Sequence, residues 1–204
     1  MTPTTPVPPA RALRGFPLLT LLAAVALTAV PAAAQGRRTR PSISLEAGGV
    51  YAAYRGSDFE LLNAGPGFDA QANIGVNNFS IGGGYLRTTH DVAGSDNDAV
   101  MSGFYVEPRL ALDINWGNFT PYLLGRVARI ESSTDDLAAT GTSLGGGVGL
   151  LMWIAPGTQI NSSVAYSATR LTADSGAHTT GDGLTLRLGI SLFGTGWGRD
   201  EYAP

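Results

Sequence analysis

The stretch FDAQANIGVNNFSIGGGY, residues 68–85, alternates apolar and polar side chains on both sides of an asparagine pair. Its apolar positions before the pair are Phe68, Ala70, Ala72, Ile74 and Val76. A period of two predicts two strands, each with one apolar and one polar face. Asparagine tolerates positive φ, so Asn77-Asn78 suits a two-residue hairpin turn. The apolar face covers a core in a soluble protein and faces lipid in a membrane barrel.

Eight segments of the chain carry this alternation, and we expect no helix among them. They span residues 42–54, 67–76, 79–88, 99–114, 118–130, 142–154, 159–170 and 183–193. Four connections of about a dozen residues, polar and acidic, alternate with three tight turns at Asn77-Asn78, Trp116-Gly117 and 155–158. Short turns at one end, long loops at the other and an even strand number are typical of a bacterial outer-membrane barrel.

The N-terminus has the pattern of an export signal. Arg11 and Arg14 precede an apolar run over residues 15–30, and small side chains follow at Ala32 and Ala34. This order predicts a secretory signal peptide cleaved after Ala34. A membrane anchor is the alternative, but the run is short for a span of about 20 residues.

We therefore predict an all-β chain with four parts. They are a cleavable signal peptide (1–34), a short lead (35–41), an eight-stranded antiparallel up-and-down transmembrane barrel (42–194) and a C-terminal tail (195–204). The chain has no cysteine, which excludes disulfides and thiolate sites. Residues 35–204 hold 11 of the 13 arginines and all 16 acidic residues, a net charge of −5 (11 − 16), and no lysine occurs. This balance argues against nucleic-acid binding.

The polar face of the predicted strands suits the inside of a small barrel. Eight strands enclose just enough room for side chains, so glycine and serine alternate there with a few large polar groups. We expect interior ion pairs among Glu46, Asp69, Glu107, Arg109, Asp113, Arg126 and Arg187. A turn at Trp116-Gly117 would put Glu107 opposite Arg126. We favour a structural plug of ion pairs over a conduction path, because interiors of this size are filled.

On each of the four strands that run toward the long loops, the last outward-facing residue of the alternation is an arginine. These arginines are Arg55, Arg87, Arg129 and Arg170. They are interpreted either as residues that extend to the membrane interface or as contacts to lipid phosphates, which guanidinium groups bind in bidentate fashion.

By these features the region 42–193 resembles the small outer-membrane β-barrel families, those of the OmpA transmembrane domain and OmpX. The segments FTPYLLGRV (119–127) and LTLRLGISLF (184–193) carry the likeness. The resemblance implies an outer-membrane location and a last strand that ends in an aromatic residue read by the barrel insertion machinery. Here Phe193 has inward parity and an 11-residue tail follows it.

The resulting functional prediction is a monomeric, non-enzymatic outer-membrane barrel with a structural, lipid-interacting or loop-mediated binding role. We expect outer-membrane lipids as partners, including lipopolysaccharide phosphates, and no cofactor, metal or catalytic residue. The alternatives are a narrow pore, a soluble secreted lipocalin-like barrel and an outer-membrane lipid hydrolase. The hydrolase would need a histidine beside a serine, whereas we expect His90 and His178 both in long loops and outside any His-x-Ser strand pattern.

Overall fold

Eight antiparallel strands close into a barrel in which each strand pairs with the next and the last pairs with the first. The computed structural model describes residues 42–56, 59–95, 97–114, 116–134, 137–173 and 176–193. The predicted signal peptide, lead and tail lie outside the described residues. No helix within the described residues is long and apolar enough to cross a membrane.

All eight predicted segments are strands, which confirms the predicted fold class. The strands are β1 (Ser42–Arg55), β2 (Gly65–Val76), β3 (Phe79–Asp91), β4 (Asp98–Ala111), β5 (Phe119–Thr134), β6 (Leu137–Ala155), β7 (Thr158–Ala173) and β8 (His178–Phe193). Several continue farther toward the long loops than predicted; β8, for example, begins at His178 rather than at 183. Backbone pairing between neighbouring strands can continue in water after the apolar alternation stops, because it needs no lipid-facing side chains.

The strand register fixes the size of the barrel. A row of paired residues that starts at Arg129 on β5 and crosses all eight strands returns to β5 at Phe119. The shear is therefore ten residues (129 − 119). Eight strands with this stagger must tilt against the barrel axis, and they leave an interior that side chains can fill.

The tight turns use residues that accept a left-handed backbone. Asn77 has φ 56°, and Val76 pairs with Phe79 across the predicted Asn77-Asn78 turn. In the third turn Gly157 has φ 76°, directly after Pro156, whose ring fixes φ near −65°.

The second turn lies one residue later than predicted. Trp116 bridges to Phe119, so Gly117 and Asn118 form the turn, with Gly117 at φ 66°. The pairing of β4 with β5 nevertheless keeps the predicted register. Because β4 ends at Ala111, the residues between Ala111 and the turn take up the one-residue shift. Glu107 accordingly falls opposite Arg126, between the Val106–Val127 and Arg109–Leu124 pairs.

The apolar face points outward along every strand. In the opening stretch, Phe68 and Ile74 are 50% and 56% exposed, whereas Asp69 and Asn73 are 1% and 5% exposed. A continuous outer surface of leucine, isoleucine, valine and phenylalanine would aggregate in water and matches the hydrocarbon of a bilayer. Exposed aromatic side chains border this surface at both ends. They are Trp116 and Phe119 at the turn end and Tyr51, Phe68, Phe104 and Tyr166 toward the loop end.

Inward glycines make room for the two tyrosines of the core. A Cβ atom added at Gly84 would lie 2.5 Å from the Tyr105 ring, and one at Gly149 would lie 2.1 Å from the Tyr122 ring. Tyr105 and Tyr122 are buried. The high glycine content of the inner face therefore reflects packing space for large side chains.

The fold predicts resistance to detergent at room temperature. A closed barrel has no free strand edge, and its network must be broken before it opens. The membrane fraction, loaded in dodecyl sulfate without boiling, should migrate differently from the boiled sample on a gel. Identical mobility in the two samples, together with recovery without detergent, would contradict a membrane barrel.

Candidate functional site

Glu107 on β4 is the centre of a buried charge network inside the barrel. Its carboxylate accepts hydrogen bonds from Arg109 Nε at 2.7 Å, Arg126 Nε at 2.8 Å and Arg187 Nη2 at 2.8 Å. The side chain has no exposed surface. Three strands, β4, β5 and β8, thus converge on one carboxylate.

Glu46 on β1 ties the opposite wall into the same network. It accepts from Arg109 Nη1 at 2.8 Å and from Ser191 Oγ at 3.1 Å. Arg187 Nε lies 3.7 Å from its other carboxylate oxygen. Glu46 therefore connects β1 to β4 and β8 across the barrel lumen.

Asp69 on β2 is the third carboxylate of the network. It accepts hydrogen bonds from Tyr105 Oη and, at 3.3 Å, from Arg187 Nη1. The Arg126 guanidinium lies 4.4 Å from the centre of the Tyr105 ring, in cation–π range.

The network balances three arginines against three carboxylates. Each buried charge has an opposite charge within 4 Å, which offsets the cost of removing it from water. The members are Glu46, Asp69, Glu107, Arg109, Arg126 and Arg187.

The prediction that Asp113 joins this interior is wrong. The paired part of β4 ends at Ala111, and Asp113 lies beyond it with an exposed side chain. The prediction extended the alternation of β4 to residue 114. Residues 112–114 instead leave the ladder on the way to the turn, so inward parity no longer applies.

An apolar cluster fills the loop half of the interior, and the sequence analysis did not predict it. Its buried members are Val50, Phe59, Leu86, Met101, Tyr105, Ala128, Ile130 and Leu171. Most stand at inward parity where strands continue toward the loops. The signal was present at Leu86, Met101 and Ile130, whose parity is inward although their side chains are apolar.

The loop between β1 and β2, the first loop, covers this cluster. Phe59 is buried, and its ring stacks on Tyr54 with centroids 5.7 Å apart. Leu62 forms a bridge with Val92 in the loop between β3 and β4, and Ala93 N donates to Leu61 O at 2.7 Å. The described part of the first loop thus folds over the barrel mouth.

His90 lies in strand β3, not in a loop as predicted. Its Nδ1 lies 2.9 Å from Asn63 O and its Nε2 lies 2.8 Å from Thr88 Oγ1. The side chain is fully buried against the Tyr54 ring. It fastens the first loop to the barrel wall and has no access to lipid or solvent.

A half-buried pair of stacked aromatic rings lies at the turn end of the interior. The Trp153 and Phe193 rings lie 5.3 Å apart, and Phe193 N donates to Gly157 O at 2.9 Å. The inward parity of Phe193 thus gives it a packing role at this end.

A cavity of about 20 Å³ lies between Arg126 and the apolar cluster, with Tyr54 and Ser143 in its wall. That is room for about one water molecule. The described interior therefore contains an apolar cluster, a charge network and an aromatic pair in succession.

The four outer arginines occupy the outward positions that the strand alternation predicts. Arg55, Arg87, Arg129 and Arg170 are exposed and stand on the outer face toward the loop end of their strands. They are spread over β1, β3, β5 and β7.

Removing one carboxylate should unbalance the network. Glu107→Gln leaves three buried arginines with two carboxylates, and breaking a buried pair costs about 3–5 kcal/mol. The free energy of unfolding by urea in lipid vesicles measures the loss. The matched control, Asp113→Asn, removes an exposed carboxylate nearby and should change stability by less than about 0.5 kcal/mol. Equal effects of the two substitutions would contradict the network's importance.

Comparisons with known proteins agree with this architecture. The chain is similar in fold to the Neisserial surface protein A (16% identity, TM-score 0.57, 76% of this chain and 99% of that one). It is also similar to OprG of Pseudomonas aeruginosa (11% identity, TM-score 0.52, 78% and 98%). No curated protein sequence matches the chain. The family described as outer membrane protein beta-barrel domain matches residues 20–192. This outer-membrane chain therefore belongs to the outer membrane protein beta-barrel domain family.

Proposed function

We propose that the protein is a sealed, non-catalytic outer-membrane barrel that interacts with lipid headgroups through its outer arginines and presents its acidic loops to the exterior. The observation that carries this proposal is the layered interior, in which the network around Glu107 lies between an apolar cluster and an aromatic pair. A barrel with such an interior can interact with other molecules through its outer surface and its loops rather than through its lumen.

The layered interior argues against a pore. An ion crossing the barrel would have to displace Phe59, separate Glu107 from its arginines and part Trp153 from Phe193. Each step exposes buried apolar surface or unpaired charge, both of which are costly.

Planar bilayer recordings test the seal. Purified protein should produce no stable single-channel steps above the background of a bilayer without protein. Regular conductance steps that scale with salt concentration would contradict the sealed barrel and favour the narrow pore.

The histidines argue against a lipid hydrolase. A hydrolase that acts from the membrane needs its serine and histidine within hydrogen-bond reach at the lipid face. His90 is buried inside against Thr88, and His178 lies at the loop end of β8 beside Thr172, 3.1 Å from its hydroxyl. Failure of an active-site serine probe to label the protein is the expected result.

The outer arginines support an interaction with phosphate groups. Guanidinium forms paired hydrogen bonds with phosphate oxygens, and four such groups ring the barrel near the outer interface. A closed barrel without free edges among its described strands is also consistent with a monomer.

Loss of all four arginines tests this interaction. The variant Arg55→Gln, Arg87→Gln, Arg129→Gln, Arg170→Gln should be released from outer membranes at a lower concentration of a competing polycation than the wild-type protein. Its gel shift on boiling should remain, since no interior residue changes. Unchanged extraction would contradict an arginine–phosphate interaction.

Export and insertion complete the proposal. We infer that residues 1–34 direct secretion and that β8 is read by the barrel insertion machinery despite the inward Phe193. N-terminal sequencing of the membrane-embedded protein should begin at Gln35. A sequence that begins within residues 1–14 would support the anchor instead.

A further inference from the structure

Two of the outer arginines, Arg87 and Arg129, stand at one height on the barrel. A row of paired residues shifts by ten residues over eight strands, or about 1.25 residues per strand. The row through Arg129 reaches Tyr85 on β3 after two strands. The residue of β3 at the same height as Arg129 along the barrel axis therefore lies about 2.5 residues nearer the loops than Tyr85. That position is Arg87.

The other two arginines stand farther out. In the opposite direction the same row reaches Arg170 on β7. The residue of β7 at the height of Arg129 lies about 2.5 residues nearer the turns, so Arg170 stands about 2.5 residues farther out. For Arg55, four strands away, the difference is about three residues. With tilted strands this places Arg55 and Arg170 about 7 Å farther from the membrane.

Arg87 and Arg129 flank the outward-facing Ser102 of β4. Ser102 pairs with Arg87 on one side, and Arg129 pairs with Phe104, the next outward residue of β4. Two strand spacings and an offset of two residues along the strands separate the arginines by about 12 Å, a gap that two extended side chains can close from both sides. The two guanidinium groups and the serine hydroxyl can therefore meet at one phosphoryl group.

An aromatic surface lies directly below this pair. The rings of Phe68, Tyr85 and Phe104 form a continuous row on β2, β3 and β4, with centroids 6.1 and 5.2 Å apart. Phe68 is paired with Arg87, and Phe104 is 72% exposed. An acyl chain that descends from a phosphate held by the arginines would pack on these rings.

Acidic residues distinguish the two pairs of arginines. Asp182 is paired with Arg55, stands diagonal to Arg170 and lies within hydrogen-bond reach of the Tyr166 hydroxyl on the membrane side. A lipid phosphate would meet this carboxylate before the two arginines. On the other face, Glu131 is the cross-strand partner of Ser102 and lies two residues beyond Arg129, on the side away from the membrane.

We propose that Arg87, Ser102 and Arg129 form one binding site for the phosphoryl group of an outer-leaflet lipid, with its acyl chains on Phe68, Tyr85 and Phe104. The proposal rests on the proposed lipid-phosphate interaction and narrows it to one face of the barrel. Arg55 and Arg170, which both neighbour Asp182, contribute to the membrane interface without binding a specific lipid.

Two matched double variants test the site. Arg87→Gln/Arg129→Gln and Arg55→Gln/Arg170→Gln remove the same charge from the same outward parity. Each protein is reconstituted in phosphatidylcholine nanodiscs with a minor fraction of lipid A, and retained lipid A is counted by native mass spectrometry after transfer to detergent. The first variant should lose retained lipid A about tenfold, and the second less than about twofold.

Four controls refine the result. Glu131→Gln should increase retention, because it removes the carboxylate nearest the site. Lipid A without its phosphates should be retained poorly by the wild-type protein, and free inorganic phosphate should compete only weakly, because it lacks acyl chains. The gel shift on boiling should persist in every variant.

The outcomes separate the site from the broader proposal. Equal loss in the two double variants would overturn the single site and leave a ring-wide interaction. No loss in either would overturn both. Wild-type retention that is the same with and without lipid phosphates would show that the acyl chains alone are recognised, and it would overturn the phosphate site.

Discussion

Pairing of charge inside the barrel is the constraint on which the rest of the structure depends. Glu107 accepts from three arginines that stand on β4, β5 and β8, and Glu46 and Asp69 bring in β1 and β2. Five of the eight strands therefore meet at one set of interactions. Because a buried charge without a partner is costly, these side chains strongly favour the register that joins them. The apolar outer face needs only to match lipid.

The interior changes character along the barrel axis. Toward the loops it is an apolar core closed by Phe59, and toward the turns it is polar until Trp153 stacks on Phe193. Lipid supplies no hydrophobic drive for burying this core from outside, so interstrand backbone hydrogen bonds, core packing and the charge network together hold the strands in place. The outside is uneven too, since Arg87 and Arg129 sit above aromatic rings while Arg55 faces Asp182.

Much of this architecture follows from the sequence, because strand parity is local. The alternation at 68–76 and the register of Glu107 opposite Arg126 were both predictable from counting. Asp113 was misplaced because parity cannot tell where a ladder ends before a turn. The roles of Phe59 and His90 depend on a loop that folds back into the barrel, a long-range contact that leaves no periodic signal. The unequal heights of the arginines required the shear of the closed barrel.

The most direct test of the account is the parity of β2 in a bilayer. The chain has no cysteine, so single substitutions along residues 70–76 can each carry one spin label. Labels at Ala70, Ala72, Ile74 and Val76 should be accessible to oxygen dissolved in lipid, and labels at Gln71, Asn73 and Gly75 should be immobile and shielded from it. Accessibility without this alternation, or with the opposite phase, would contradict a barrel whose charged face is its interior.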